Sequence, residues 1–293
     1  MAAVYNSKFG DTVEGARAAH FQQLVLEELR VSASYRKAYK AKVLSTTRLR
    51  GFDDASYTKL HEYLYLLKAS NPDSIADLET ETDEDGNVRF KYLFLSFSAS
   101  IIGFRRLRHV IVVDGTHLSG KFRGCLLTAA RQDANFQVFP LAYAVVDSEN
   151  EASWTWFFRK IEIFLLDGKY LTIISDRYLS IYAAKKQIYP NAHHGACIVH
   201  LARNVVEKFK SKGLGKLVTD SRMKWCVGKF HQLYETIRTT NPQCGQYLEK
   251  IGLAHWSNAY FQGQRYNLMT SNACEQLNKA LKKGRSSPIV ELL

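Results

Sequence analysis

The sequence is short of the features that would mark a secreted or membrane protein. Its five cysteines, Cys125, Cys197, Cys226, Cys244 and Cys274, are an odd number with no closely spaced pair. That pattern argues against a disulfide framework and fits a reducing compartment. No stretch approaches the roughly 20 consecutive apolar residues that a membrane span needs. The opening MAAVYNSKFGDTVEG has no apolar signal core, so the expectation is a soluble intracellular protein with no membrane partner. There is no internal repeat and no low-complexity stretch. The most informative shortage is of acids late in the chain: residues 177–293 hold 18 Lys and Arg against 6 Asp and Glu, while residues 1–176 hold 22 of each. The whole net charge of +12 therefore lies beyond residue 176. A bland solvated surface would spread that charge, so the concentration points to a polyanionic partner, nucleic acid above all.

What is present is a chain of 293 residues, 46% hydrophobic, enough for one large or two smaller domains. Residues 1–18 read as a loose tail. From His20 to Arg50 the spacing of Phe21, Leu24, Val25 and Leu29 predicts helix. A second helix is expected from Asp54 to Ala69, stopped by Asn71–Pro72. A hairpin turning at Asp85–Gly86 follows. HVIVVD (109–114), KFRGCLLTAARQD and FQVFPLAYAVVD then read as three strands, with Asn135 in the second turn. Ser148 and Glu151 fit a capping box for a helix that buries Trp154, Phe157, Phe158, Ile161 and Leu165. LTIISD (171–176) is another buried strand, 178–188 a helix, and HHGACIVH a short strand entering a helix. Residues 201–262 are basic and mostly helical in pattern. MTSNACEQLNKALKKG is a closing helix, capped at Ser271 or Asn272 and stopped at Gly284.

Two of these buried strands end in a single aspartate, Asp114 and Asp176, and the late helix carries Glu275. Three strands, a helix, a further strand and a late helix is the order in which an RNase H-like sheet presents acids. Clustered carboxylates raise one another's pKa unless something neutralises them. Mg²⁺ or Mn²⁺ does so with oxygen ligands, and a pair of such ions drives phosphodiester cleavage. Each acid alone also has a plainer reading as a turn residue or helix cap.

The blocks VIVVDGTHLSGKFRGCLLTAA, FPLAYAVVDSENEASWTWFF, LTIISDR and TSNACEQLNKAL resemble the transposase domain of Mutator-like elements (MULE). The likeness runs from about residue 34 onward and extends to the far-red-response transcription factors of plants, domesticated relatives of that family. The resemblance implies an α/β fold: an RNase H-like mixed sheet flanked by helices, with a helical insertion before the last catalytic helix and an N-terminal helical and hairpin segment. With the pass along the chain, this divides it into a tail at 1–18, an N-terminal segment at 19–108 and the core at 109–293, the 99 residues between Asp176 and Glu275 leaving room for the insertion at 201–262. It further implies Asp114, Asp176 and Glu275 as a catalytic triad binding Mg²⁺ or Mn²⁺, double-stranded transposon-end DNA as partner, and a plant nuclear setting. A homo-oligomer stays open. Longer members carry a zinc-binding recognition domain before the core and a SWIM-type zinc finger after it. Neither is visible in these residues, so a domesticated DNA-binding regulator and a truncated inactive remnant stand as alternatives to a working enzyme.

Other residues have competing readings. Cys197 and His200 form the C-x2-H pair that the family carries after its second aspartate. A structural zinc wants four ligands; Cys226, His231, Cys244 and His255 are available without diagnostic spacing, and core packing is the plainer account. Lys279, Lys282, Lys283 and Arg285 follow Glu275 and could hold DNA phosphates without sequence preference. Arg105, Arg106 and Arg108 could do the same or lie in a solvated loop. Asp147 reads as a helix entry, and His117 as a turn or packing residue or a contact to DNA.

Overall fold

A computed structural model describes residues 17–50, 53–104, 106–133, 135, 137–266, 268 and 270–293, without the side chains of 45–50, 53 and 54. Residues 1–16 of the tail expected at 1–18, and Arg105, lie outside these residues, and Ala18 already begins a helix. The chain forms two compact units. The smaller comprises the described residues up to Tyr65 with Ser119–Phe122 and Lys283–Leu293; the larger comprises Leu66–Leu118 and Arg123–Lys282.

In the smaller unit, α1 (Ala18–Leu29) and α2 (Tyr35–Arg50) bury Phe21, Val25, Ala33 and Ala38 together. The helical pattern read from His20 to Arg50 is thus two helices. Arg30 breaks it by taking the left-handed conformation, with φ 54°, which no local residue preference signals. The helix expected from Asp54 to Ala69 is likewise two pieces, α3 (Asp53–Thr58) and α4 (Leu60–Ser70). The Ser56 hydroxyl accepts the backbone N–H of Val290, at 3.0 Å.

The larger unit is built on a mixed seven-stranded sheet: β1 (Ile75–Thr82), β2 (Val88–Ser96), β3 (Val110–His117), β4 (Cys125–Gln132), β5 (Val138–Val146), β6 (Thr172–Ser175) and β7 (His193–Ala196). Their order across the sheet is β1-β2-β5-β4-β3-β6-β7. β1 to β5 pair antiparallel, whereas β6 runs parallel to β3, and β7 to β6. α5 (Ser98–Phe104) links β2 to β3, α6 (Glu151–Glu162) links β5 to β6, and α7 (Leu179–Ile188) links β6 to β7.

Because successive side chains of a strand point to opposite faces, each face has its own core. Ile111 and Val113 of β3 join Leu127, Ile173 and the Trp154, Phe157, Phe158 and Ile161 stripe of α6. Val110 and Val112 join Ile174, Leu268, Ala273 and Cys274 on the other face. The last two belong to α13 (Asn272–Ala280), which Cys274 fastens to β3 through its thiol and the Val112 carbonyl, at 3.1 Å. Between β7 and α13 lie five helices: α8 (Ile198–Phe209), α9 (Lys212–Arg222), α10 (Val227–Thr240), α11 (Pro242–Ile251) and α12 (Leu253–Trp256). They close over a separate core of Leu201, Val205, Val218, Phe230, Tyr234, Ile237 and Trp256 and add no strand to the sheet. A short 3₁₀ turn (Gly284–Ser286) and α14 (Ile289–Leu292) end the chain. No helix among the described residues is long and apolar enough to cross a membrane.

Two helix ends differ from their sequence reading. The capping box of α6 is Asn150 with Ser153, not Ser148 with Glu151. The Asn150 side chain accepts the Ser153 N–H at 2.9 Å, and the Ser153 hydroxyl accepts the Asn150 N–H at 3.0 Å. α13 stops at Ala280, four residues before Gly284, and Ser271 at its start makes no cap bond because its hydroxyl faces other partners.

Phe157 is fully buried against Trp154, Phe158 and Phe94. Phe157→Ala should therefore cost about 3–5 kcal/mol in urea denaturation. Leu166→Ala, at a side chain 76% exposed, should stay within about 0.5 kcal/mol of the parent.

Candidate functional site

The site begins with strand register. Val110 pairs with Thr172, Ile111 with Ile173 and Val112 with Ile174, a constant offset of 62 residues. Asp114 and Asp176 stand at the same offset, so the two strands carry them to the same level at neighbouring C-terminal ends. The apolar runs VIVV and TIIS fix this register because both are buried on both faces of the sheet.

Asp114 follows Val112 on the face covered by α13. There Asn278 donates its amide to Oδ2 at 2.8 Å. The Asp114 carboxyl is pushed up to about 7, first by burial and then by the charge of Asp176; Glu275 adds to this, while His200 and the Asn278 bond oppose it. Asp176 is half-buried just past β6 and accepts the Tyr178 backbone N–H at 3.1 Å, the local turn expected of an aspartate leaving a strand. No lysine or arginine forms a salt bridge with either aspartate among the described residues.

Glu275 lies in the first turn of α13, where the helix dipole favours an acid. Its Oε1 accepts the Ser271 hydroxyl at 2.7 Å and stands 3.9 Å from His200 Nε2. Cys197, His200 and Glu275 offer ligand atoms that all lie within 4.8 Å of one another; the three acids are not such a set. Ser271 joins this cluster, with its hydroxyl 3.3 Å from both Cys197 Sγ and His200 Nδ1 and its N–H 3.2 Å from the same sulfur. Burial pushes the Cys197 thiol up, but the hydrogen bonds of His200 and Ser271 outweigh it and leave the thiol below its usual range. His200 is raised, chiefly by its bond to Cys197. The C-x2-H pair is thus a polarised thiol–imidazole couple beside Glu275, and the other proposed zinc donors do not complete it. His231 bonds the Tyr260 hydroxyl at 2.6 Å, His255 faces the His194 carbonyl at 3.2 Å, Cys244 is buried in the helical core and Cys226 is exposed.

One acid near this site escaped the sequence reading. Glu149 precedes the true cap Asn150, and its Oε1 accepts the Trp154 indole N–H at 3.3 Å. Its carboxyl is raised by burial first and then by Asp176, against the Trp154 bond and His117. No sequence signal marks it: its carboxylate lies against Gly115, next to Asp114, a contact made only in the folded chain.

The remaining candidates are dispersed. Asp147 is exposed and accepts the Ser148 N–H at 2.6 Å. His117 is exposed, with Nδ1 3.2 Å from Cys125 Sγ. Arg106 and Arg108 are exposed, and Arg108 lies over the Tyr266 ring at 4.8 Å. Lys279 and Lys282 are exposed at the end of α13; Lys283 is exposed and Arg285 half-buried in the smaller unit.

The Asp114 shift has a consequence for stability. A folded value near 7 against an ordinary 3.8 means that the folded state favours the neutral acid. The stability present below the ordinary value is lost as pH rises toward 7. In EDTA, Asp114→Asn should therefore gain on the parent between pH 5 and 8, by on the order of 2–3 kcal/mol in thermal or urea unfolding. A difference that stays flat over that window would refute the strain at Asp114.

The sequence profile of the MULE transposase domain matches residues 110–204, a span that holds Asp114, Glu149, Asp176, Cys197 and His200 but ends before Glu275. Two proteins of Arabidopsis thaliana are similar to the chain. Protein FAR1-RELATED SEQUENCE 6 is 24% identical over 150 residues, which are 51% of this chain and 20% of that protein. Protein FAR1-RELATED SEQUENCE 5 is 26% identical over 171 residues, 57% of this chain and 21% of that protein. The transposase for insertion sequence element IS905 of Lactococcus lactis is 24% identical over 186 residues, 59% of this chain and 47% of its own length. The matches thus span about a fifth of each plant relative and about half of the bacterial one. Between β3 and α8, residues 110–204 are thus similar to the MULE transposase domain.

Proposed function

We propose that this chain is the catalytic core of a MULE-type DNA transposase. In this reading the sheet is RNase H-like, and Asp114, Asp176 and Glu275 hold Mg²⁺ or Mn²⁺ for phosphodiester cleavage and strand transfer at transposon ends. The observation that carries it is the register of β3 against β6, which sets two unneutralised aspartates at one level of adjacent parallel strands. The antiparallel run β5-β4-β3 continued by parallel β6 and β7 supports the fold assignment.

The donor set fits a hard divalent ion. It consists of carboxylate oxygens, and Asp114 is pushed up to about 7, first by its burial and then by the charge of Asp176. When bound, such ions neutralise the developing charge and activate the attacking oxygen. The residues of the chain do the positioning. Asn278 orients Asp114 through one oxygen, and the Tyr178 N–H orients Asp176 through one of its own. Lys279, Lys282, Lys283 and Arg285 would hold duplex DNA by its phosphates. The protein would act in the nucleus, as a single chain or a homo-oligomer.

A second reading is a domesticated, transposase-derived DNA-binding regulator, or an inactive remnant. The position of Glu275 favours it, since Ser271 and His200 engage that carboxylate and it does not cluster with the aspartates. The similarity to the two plant proteins points the same way. Zinc at Cys197 and His200 would take Glu275 as its third ligand, so it competes with the catalytic reading; a closed hydrogen-bond network through Ser271 accounts for the pair without metal.

Three measurements separate these readings. On pre-nicked transposon-end DNA, the parent should cleave in Mn²⁺ and Asp114→Ala should not, with DNA binding kept. Salt-sensitive binding without cleavage selects the regulator or remnant. Binding should be largely sequence-independent, with Kd roughly 10⁻⁴–10⁻⁶ M, and replacing Lys282, Lys283 and Arg285 together should flatten the slope of log K against log salt by roughly 2–3. Elemental analysis that finds no zinc in purified protein leaves Cys197 and His200 their packing role.

A further inference from the structure

We propose that Cys197, His200 and Glu275 form an exchangeable site for a borderline-soft divalent ion such as Zn²⁺, and that an ion bound there holds Glu275 away from Asp114 and Asp176. The second half rests on the reading of Glu275 as the third acid of the catalytic site; the first does not. The site is built at one junction of the larger unit. The Cys197 N–H donates to the Ser175 carbonyl at 2.7 Å, which seats the thiol at the end of β7 beside the strand that leads into Asp176. His200 lies three residues on, in the first turn of α8, so the two side chains share one side of that turn. Glu275 comes from the first turn of α13.

These donors converge. Among the described residues they are the one group of three Cys, His or acidic side chains whose ligand atoms all lie within 4.8 Å of one another. Zinc bonds of about 2.3 Å to sulfur and about 2.0–2.2 Å to nitrogen and oxygen close such a triangle with small side-chain adjustments. A thiol and an imidazole select Zn²⁺ over Mg²⁺ or Mn²⁺, which prefer oxygen ligands. One hydroxyl already touches all three: Ser271 Oγ stands 2.7 Å from Glu275 Oε1 and 3.3 Å from both Cys197 Sγ and His200 Nδ1. With one proton it donates to only one of them at a time, whereas an ion satisfies the three together. The thiol is buried, but the His200 and Glu275 side chains are 22% and 36% exposed, so an ion enters from their side. Three protein ligands leave a position open, unlike the four-ligand structural zinc sites. The same geometry accounts for the place of Glu275. It groups with Cys197 and His200 and not with the aspartates, so its carboxylate serves one site or the other.

The rival account is a hydrogen-bond network that only packs. Co²⁺, a spectroscopic substitute for Zn²⁺, separates the two. Reduced, EDTA-stripped protein is titrated with Co²⁺ and then Zn²⁺ in a Cys226→Ser background, which removes the exposed thiol. The parent should show a thiolate–Co²⁺ charge-transfer band that Zn²⁺ abolishes. Cys197→Ser should lose that band, Asp114→Asn should keep it, and Glu275→Gln should weaken binding by at least the roughly 10–100-fold that loss of an outer-shell partner costs. Should Cys197→Ser fail to fold, Glu275→Gln, at a half-exposed side chain, carries the test. Mn²⁺ binding, read as free Mn²⁺ by electron paramagnetic resonance, should weaken when the parent carries Zn²⁺ and ignore Zn²⁺ in Cys197→Ser. A parent without the thiolate band, or a Glu275→Gln protein with the parent's Co²⁺ affinity, overturns the site and leaves the catalytic reading as it was. Mn²⁺ binding by the parent that ignores Zn²⁺ overturns the hold on Glu275. A parent that binds no Mn²⁺ removes the catalytic reading and that hold with it, while the Co²⁺ band still decides the site.

Discussion

Parallel pairing of β3 with β6 requires a long crossover, and here β4, β5 and α6 supply it. Once those strands are paired, their shared register decides what their ends can do. A one-residue slip would send Asp114 and Asp176 to opposite faces and move Val110, Val112 and Ile174 out of the core they share with Cys274. The apolar residues therefore enforce a placement that the acids themselves oppose. Burial of VIVV and TIIS holds together two carboxylates that repel, and the Asp114 carboxyl is raised first by its own burial and then by the charge of Asp176. Stability elsewhere in the larger unit, chiefly the aromatic stripe of α6, carries the cost of this strain.

Around the aspartates each face contributes differently. α13 is fastened by Cys274 to β3 and by Asn278 to Asp114, so the helix that bears Glu275 is fixed to the same strand as the first aspartate. Glu275 itself is engaged by Ser271 and His200, and those residues belong to a network with Cys197. Ser271 has one hydroxyl proton and three neighbours within 3.3 Å, so it cannot donate to Glu275 and Cys197 at once. The protonation of the Cys197–His200 couple and the position of Glu275 are therefore linked through a single hydroxyl.

The strands that deliver Asp114 and Asp176 were legible in the sequence because a buried strand needs only a short β-branched run with an acid at its end, and both runs stand out from their surroundings. The stripe of α6 was legible because helical spacing of Trp154, Phe157, Phe158 and Ile161 admits no other reading. The cap was not. Ser148 with Glu151 and Asn150 with Ser153 offer the same spacing of three, and only the end of β5 decides between them. The break at Arg30 was hidden for a related reason: a non-glycine residue in the left-handed region follows from tertiary packing, not from propensity. The length of α13 was overread because Gly284 is a good stop signal four residues beyond where the helix ends.

Glu149 shows the deeper limit of reading along the chain. In sequence it is one of two glutamates flanking Asn150, and a helix entry explains both. What distinguishes it is Gly115, 34 residues earlier, whose missing side chain matters only after β4 and β5 have folded back and β5 has delivered residue 149 beside β3. The glycine and the acid are each unremarkable alone. Their pairing is a contact between an absent atom and a present one, and no periodicity, propensity or motif encodes that. Glu151 is exposed in the first turn of α6, where the helix dipole already accounts for an acid, whereas Glu149 lies half-buried against the backbone of β3, its carboxylate accepting the Trp154 indole N–H.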